Sequence, residues 1–291
     1  HDDQHGTAII VAAAVRNELL LQGKNLADVK LVNTGGGAAA LACLDLLLTM
    51  GLKRENVTVC DIEGVVYVGR PGLDATKARY AQETNARTLP EVLDGADVFL
   101  GLSAPRVLKG EWLHKLAPRP LVLALANPDP EILPEAGRAA RPDAIVATGR
   151  TDYPNQVNNV LCSPFSFRGA LDAGATTINE EMKVAAVEAI AALARVEASE
   201  VVAAASGGTA PVFGPEYIIP KPFDPRLILE IAPAVARAAM ESGVARRPIA
   251  DFDAYRADLT RFVYRSGNLM RPVQELARRR PARIVFAEGE D

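Results

Sequence analysis

Val29 to Asn33 is a short strand-like run that ends in Thr34-Gly35-Gly36-Gly37, and Ala38 to Met50 follows as an Ala- and Leu-rich stretch long enough for a buried helix. A strand that turns through glycines straight into a helix is the opening of a βαβ unit, because a crossover helix is what returns the chain to a parallel neighbour. Four more apolar runs suit the same sheet: Val57–Asp61, Val98–Leu102, Leu121–Leu125 and Ile145–Thr148. They are apolar along their length, as strands covered on both faces are. The last three give way to loop-like residues at Ser103–Arg106, Asn127–Pro130 and Gly149–Asn159. The expected fold is α/β, a doubly wound, mostly parallel, Rossmann-like sheet with extra C-terminal helices. Ligands of such sheets bind outside the carboxyl ends of the strands.

Elsewhere, Gly6 to Gln22 places Ile9, Ile10, Ala13, Val15 and Leu19–Leu21 at helical spacing, with Thr7 as the expected cap. Asn179 to Val196 reads as a second helix with Glu180 and Glu181 in its first turn, where the dipole favours acid. Pro211 to Pro225 reads as an extended surface strap, and Leu227 to Ser242 as a helix interrupted or kinked near Pro233. Past Ala250 the chain turns polar, then basic at Arg278–Arg280, and Ile284–Ala287 reads as the start of a strand. With 49% hydrophobic residues in a chain of 291, there is material for a large core. A balance of 32 Lys+Arg against 36 Asp+Glu offers no basic excess for nucleic acid. No apolar stretch approaches the roughly 18–20 residues of a membrane span. Cys43, Cys60 and Cys162 stand singly, without metal-ligand spacing, so a reducing, cytoplasmic setting is expected.

Gly35, Gly37 and Ala40 form G-x-G-x-x-A between strand and helix. Such glycines let the backbone approach a pyrophosphate while the helix start, here Ala38 to Ala40, presents free N–H groups. Asp61 ends the next strand 26 residues after Gly35 (61 minus 35), near the spacing of a ribose-binding acid. Read alone, the glycines also fit a plain tight turn; with strand, helix and Asp61 they point to a dinucleotide. Asp2 and Asp3 are either a solvated turn or part of a hard-oxygen site for Mg²⁺ or Mn²⁺, which needs further ligands. Asn127, held extended by Pro128, and Asn158–Asn159 each read singly as turn residues. Together, all beyond the carboxyl ends of strands, they suit a small polar acid. His114 sits among Trp112, Leu113 and Leu116 and reads as surface or packing, while His5 lies near the Asp pair. No Ser-His-Asp arrangement is readable.

These residues carry a family resemblance. His1-Asp2-Asp3-Gln4-His5-Gly6-Thr7-Ala8, Gly35-Gly36-Gly37-Ala38-Ala39, Ala126-Asn127-Pro128 and Asn155-Gln156-Val157-Asn158-Asn159-Val160-Leu161 resemble the malic enzymes, in particular the bacterial NADP-dependent type. So do Gly174 to Lys183 and Phe213 to Tyr217. The resemblance implies an NAD(P)-binding domain over 1–213, a Pro-rich strap and helices closing it over 214–261, and a linker over 262–291. That linker resembles the junction to a phosphotransacetylase-like domain. Implied too are oxidative decarboxylation of L-malate to pyruvate and CO₂ with NADP (NAD as the alternative), Mg²⁺ or Mn²⁺, and a homo-oligomeric parent. By the same likeness Asp2 is the catalytic carboxylate and Asp3 a metal ligand. Gly35, Gly37, Ala38, Ala40, Asp61 and Asn127 would bind cofactor, and Asn127 and Asn159 substrate. Arg70 and Lys77 are candidates for a 2′-phosphate.

The sequence also departs from the family pattern. Asn33-Thr34-Gly35-Gly36-Gly37 stands where Ser-Gly-Ala-Gly is the pattern, Ser163 and Ser166 replace apolar residues, and Ser206–Thr209 differs. The family's acid Tyr, base Lys and Glu-Asp metal pair precede the Asp pair and have no match in this chain, so the expectation is negligible malate turnover by the chain alone. The remaining alternatives are a non-catalytic dinucleotide-binding scaffold or regulatory module, and an amino-acid dehydrogenase. The latter needs a Lys pair after the cofactor loop that is not found.

Overall fold

A computed structural model describes residues 1–198, 202–203 and 210–263 of the chain. The departure at Ser206–Thr209 and the features expected from residue 264 onward lie outside the described residues. His1–Pro248 form one unit and Ile249 onward a second. The second is described as far as residue 263 and is helical over 252–263.

In the first unit, β1 (Leu31–Thr34), β2 (Val57–Asp61), β3 (Gly64–Val65), β4 (Val98–Gly101), β5 (Leu121–Ala124) and β6 (Ile145–Thr148) make a sheet in the order β3-β2-β1-β4-β5-β6. All pairings are parallel except β2–β3. β3 was not expected. It is a two-residue antiparallel edge, too short to show a pattern, and a short edge limits pairing with another chain. Val32, Phe99, Val122 and Val146 pack on one face with Leu113, Leu116 and Ile132. Their strand neighbours Leu31, Leu100, Leu121 and Leu123 are buried on the other.

The helices are α1 (Thr7–Gln22), α2 (Ala38–Thr49), α3 (Pro134–Ala140), α4 (Ser163–Asp172), α5 (Glu180–Arg195) and α6 (Arg226–Glu241), with two single turns at Ala75–Ala78 and Leu89–Val92. α1 differs from the expectation in two ways. A π-helical turn over Asp2–Gly6 precedes it, so Thr7 lies inside the helical run and donates its hydroxyl to the Asp3 carbonyl instead of capping. Nor is the helix one-sided: Ala8 to Val15 are all buried, because α2 and α5 pack around it. α5 starts as expected, with Asn179 Oδ1 accepting from the Met182 N–H (3.1 Å) behind Glu180 and Glu181.

An interruption or kink was expected near Pro233; α6 runs through it without the interruption. The strap is also less superficial than its prolines suggest. Tyr217, Ile218 and Ile219 are buried, and Asn17 and Asn155 tie its backbone down through Ile218 and Pro215. No helix among the described residues is long and apolar enough to cross a membrane.

α4 and α6 meet backbone to backbone at Gly169, where a Cβ would fall 2.3 Å from the Ala232 carbonyl oxygen. Gly169→Ala is therefore expected to destabilise the unit by about 1–3 kcal/mol despite alanine's better helix propensity. A thermal midpoint lowered by several degrees in a calorimetric scan checks this; an unchanged midpoint refutes it.

Candidate functional site

The order of strands reverses between β1 and β4, which opens a crevice above the carboxyl end of β1. The glycine turn sits there. Gly35 has φ +107°, and a Cβ on it would lie 2.2 Å from the Leu102 carbonyl oxygen, so only glycine fits. Gly36 is crowded only by the flexible Lys77 side chain, whereas a Cβ on Gly37 would meet nothing within 4 Å. Gly37 is also the residue at which α2 begins, with extended φ and ψ and no side chain capping the first turn. Ala38 and Ala40 lie in that first turn, Ala40 buried. Backbone N–H groups there face an open approach, which is what an anion at a helix N-terminus requires. The crevice continues as a cleft of 840 Å³ lined by Thr34–Gly37, Asp61–Gly64, Lys77, Arg87–Pro90, Leu102–Ala104, Val107 and Trp112.

Asp61 closes the β2 side of this cleft. Arg70 grips its carboxylate with two bonds (Nη1–Oδ1 2.9 Å, Nη2–Oδ2 2.5 Å), and Lys77 Nζ lies 3.2 Å from Oδ2. Burial alone would raise the Asp61 pKa, but the Arg70 fork, the Glu63 N–H and Lys77 outweigh it and hold the carboxyl below its usual range. The two cations differ in access. The Arg70 side chain is 7% exposed and lies behind Asp61, outside the cleft lining, while Lys77 is 28% exposed and lines the cleft. Arg87 also lines it, lying over the Tyr67 ring at 3.6 Å and bonding the Thr84 and Ala86 carbonyls.

The two aspartates separate. Asp2 turns inward: Asn159 Nδ2 donates to its Oδ2 at 2.7 Å and Ser163 Oγ donates to its Oδ1. Asp3 turns outward, with its side chain 79% exposed beside His1. Asn127 is exposed beyond β5, next to a cis bond to Pro128. Its side chain lies about 3.4 Å from where a Cβ on Gly149 would sit, and the Gly149 carbonyl accepts from Asn158 (3.4 Å). Asn127, Asn158, Asn159 and Asp2 thus form a run of neighbours, and none of them is among the residues that line the cleft. His5 lies between a 180 Å³ cavity that it shares with Asp2 and a 410 Å³ cavity that it shares with Gly36. Burial, then Lys183 and the chain's amino terminus, lower its pKa, so the ring tends to neutrality. His114 is exposed, in keeping with a surface role.

The serines that replace apolar residues are both partnered, Ser163 with Asp2 and Ser166 with Cys162 Sγ (3.1 Å). Asn33 is fully buried and its amide clamps the Gly35 carbonyl (2.5 Å), although its own Oδ1 has no partner. One functional candidate escaped the sequence reading: Glu131, a buried carboxylate among the loops of the crevice, whose Pro-Asp-Pro-Glu setting looks like a solvated turn.

The donor set fits a dinucleotide, as the open Gly37 and the uncapped start of α2 show. It does not assemble a metal centre. Among the described residues no group of three or more His, Cys, Asp or Glu could hold an ion, and Asp2 is engaged by Asn159 and Ser163. Asp3 is one exposed oxygen ligand, against the six that Mg²⁺ takes.

Comparison with known proteins agrees with this geometry. Residues 4–204 match the family described as malic enzyme, NAD binding domain. The chain is 65% identical over 293 aligned residues to the NAD-dependent malic enzyme of Rhizobium meliloti (strain 1021), covering all of this chain and 38% of that protein. It is 61% identical to the NADP-dependent malic enzyme of Salmonella typhimurium (strain LT2), covering all of this chain and 39% of that one. Among solved structures it resembles the malic enzyme of Entamoeba histolytica (TM-score 0.81, 31% identity, 94% of this chain and 56% of the other). It also resembles that of Pyrococcus horikoshii Ot3 (TM-score 0.79, 36% identity, 96% and 63%). The chain therefore spans less than two fifths of the length of these two curated relatives. With its glycine cradle at the strand-order reversal and its likeness running through the whole length, this chain belongs to the malic enzyme family and carries that family's NAD-binding domain.

Proposed function

We propose that the chain is the dinucleotide half of an enzyme that oxidatively decarboxylates L-malate to pyruvate and CO₂, with NADP as the preferred acceptor. The observation that carries this reading is the cradle at the switch point: a glycine that only glycine can be, an open Gly37 and an uncapped α2 beneath it. The backbone of Gly35, Gly37, Ala38 and Ala40 holds the pyrophosphate, and Asp61 orients the adenosine ribose. When bound, the nicotinamide accepts a hydride from the substrate carbon. Asn127 and Asn159 donate hydrogen bonds to a small dicarboxylate without adding charge. Asp2, fixed by Asn159 and Ser163, is the carboxylate nearest the chemistry, and Asp3 would offer one oxygen to a divalent cation. Three free, buried cysteines suit a cytoplasmic setting, and the longer protein is a homo-oligomer.

The relatives' names divide between NAD and NADP, and the charges around Asp61 bear on the preference. Asp61 on its own would repel a 2′-phosphate, but Arg70 and Lys77 both hold it, with Glu63 3.9 Å from Arg70 and Asp74 3.5 Å from Lys77, and Lys77 is the one of the two cations that lines the cleft. Calorimetric titration of the chain with NADP⁺ and NAD⁺ is the test. Micromolar binding with NADP⁺ ahead is expected. Lys77→Ala should weaken NADP⁺ about tenfold or more, the worth of a charge-assisted hydrogen bond, and leave NAD⁺ nearly unchanged. An equal loss for both would remove Lys77 from the 2′-phosphate. No binding of either by a folded chain would leave the cradle a structural turn and favour a scaffold role. With malate and Mn²⁺ the expected NADPH yield is negligible, because the described residues do not assemble a metal centre.

A further inference from the structure

Glu131 lies on the loop after β5, its side chain fully buried, and the chemistry outlined above gives it no task. One carboxylate oxygen, Oε1, accepts from the Ser103 N–H (2.9 Å) and stands 3.2 Å from Ser103 Oγ. The other, Oε2, accepts from the Ala126 N–H (3.0 Å). Ser103 Oγ is in turn 3.0 Å from Thr34 Oγ1. The single Ser103 hydroxyl proton is thus shared between Thr34 Oγ1 and the carboxylate, both of which accept from it.

The same loops are zipped through their backbones, Arg106 N–H to the Pro130 carbonyl and Leu108 N–H to the Glu131 carbonyl, both 3.1 Å. Gly101, at the end of β4, leaves the room, since a Cβ there would come within 2.4 Å of Glu131 Cδ. Every bond that the carboxylate makes here is to a backbone amide or a hydroxyl. A carboxyl buried among neutral donors is a poor way to gain stability, and burial pushes its pKa up. Its placement is better explained by what it holds. Thr34, Ser103 and Ala126 stand at the ends of β1, β4 and β5, and Ala126 precedes Asn127.

We propose that Glu131 is a positioning residue for the nicotinamide end of the cleft, fixing the loops after β4 and β5 at the spacing that the nicotinamide ring and Asn127 require. This rests on the dinucleotide reading above. In a doubly wound sheet the two mononucleotide halves lie on opposite sides of the switch point. With Asp61 on the β2 side, the adenosine half lies there and the nicotinamide half lies over β4 and β5. Glu131 touches only the second.

Glu131→Gln keeps the shape but sets an amide NH₂ against one of the two loop N–H groups that the carboxylate accepts. The probes are NADPH, whose nicotinamide fluoresces, and adenosine 2′,5′-bisphosphate, which carries the adenosine half alone. The variant should bind NADPH about tenfold or more weakly, with a reduced nicotinamide fluorescence enhancement, while the bisphosphate binds within about twofold of the parent chain. If both probes weaken alike, or neither changes, Glu131 has no positioning role. If the unaltered chain binds neither probe, the dinucleotide reading itself falls and this proposal with it. Should Glu131→Gln not fold, Glu131→Asp, too short to reach both loops, is held to the same differential result.

Discussion

Gly35→Ala is expected to remove dinucleotide binding altogether, a loss of more than about 100-fold, and to lower stability at the same time. Two costs combine. A non-glycine residue at φ +107° is strained by roughly 1–2 kcal/mol. The added Cβ would sit 2.2 Å from the Leu102 carbonyl oxygen, a backbone atom that cannot rotate away. Leu102 is itself pinned to β1, its N–H donating to the Thr34 carbonyl at 2.9 Å, so relief must come from the turn, and α2 moves with it. Gly37→Ala separates the two effects. Its backbone is extended and its Cβ meets no protein atom, so the fold should be unaffected while the methyl group intrudes on the approach to α2. Calorimetric titration alongside a thermal scan reads both. Gly35→Ala retaining NADP⁺ affinity would move the site elsewhere.

Replacing Glu18 by methionine should stabilise the protein by several kcal/mol at pH 8 and by much less at pH 5. Glu18 lies on α1 with 1% exposure, and neither carboxyl oxygen has a hydrogen-bond partner. Burial lifts its pKa from 4.5 to about 8; Asp97 adds to the rise, while Lys24 and Arg119 oppose it. Lys24 gives little relief because its ammonium is held by Asp97 at 2.5 Å. The sign follows from linkage. The folded pKa is above the unfolded one, so the unfolded chain loses its proton first, and wild-type stability declines as pH rises from about 4.5 towards 8. At about 1.4 kcal/mol per unit, that window is worth on the order of 4–5 kcal/mol. Methionine has no proton to lose and fills a similar volume. Chemical denaturation at pH 5 and pH 8 tests it; a gain independent of pH would mean that Glu18 is not protonated in the folded state.

The parallel strands were legible because a strand covered on both faces must be apolar throughout. Val57–Asp61 and Ile145–Thr148 were placed to the residue. The edge strand Gly64–Val65 was not, since two residues held by one neighbour leave no pattern. α1 was recognised as a helix, but its burial on every side depends on α2 and α5, which come from distant sequence. Within the site, the glycine turn announced itself because its constraint is local, a positive φ followed at once by a helix start. The roles within Asp61, Arg70 and Lys77 were not readable: all three were named from sequence, but only the fold puts Arg70 behind the carboxylate and Lys77 in front. Glu131 left no trace at all. Its burial is produced by a missing side chain at Gly101 and amides contributed from positions 103 and 126. Residue type and spacing alone did not part the two adjacent aspartates, which only the family likeness gave different roles; in the fold Asn159, 157 residues away, takes Asp2 and leaves Asp3 exposed.

The bare start of α2 makes the ligand a structural component of the protein. An anion bound to those N–H groups would complete a helix that packs directly on α1, which is buried from Ala8 to Val15. Binding energy is then folding energy: at a ligand concentration of 100 times Kd the gain is about 2.7 kcal/mol. Resistance of the chain to proteolysis through transient opening should accordingly rise and fall with the supply of dinucleotide.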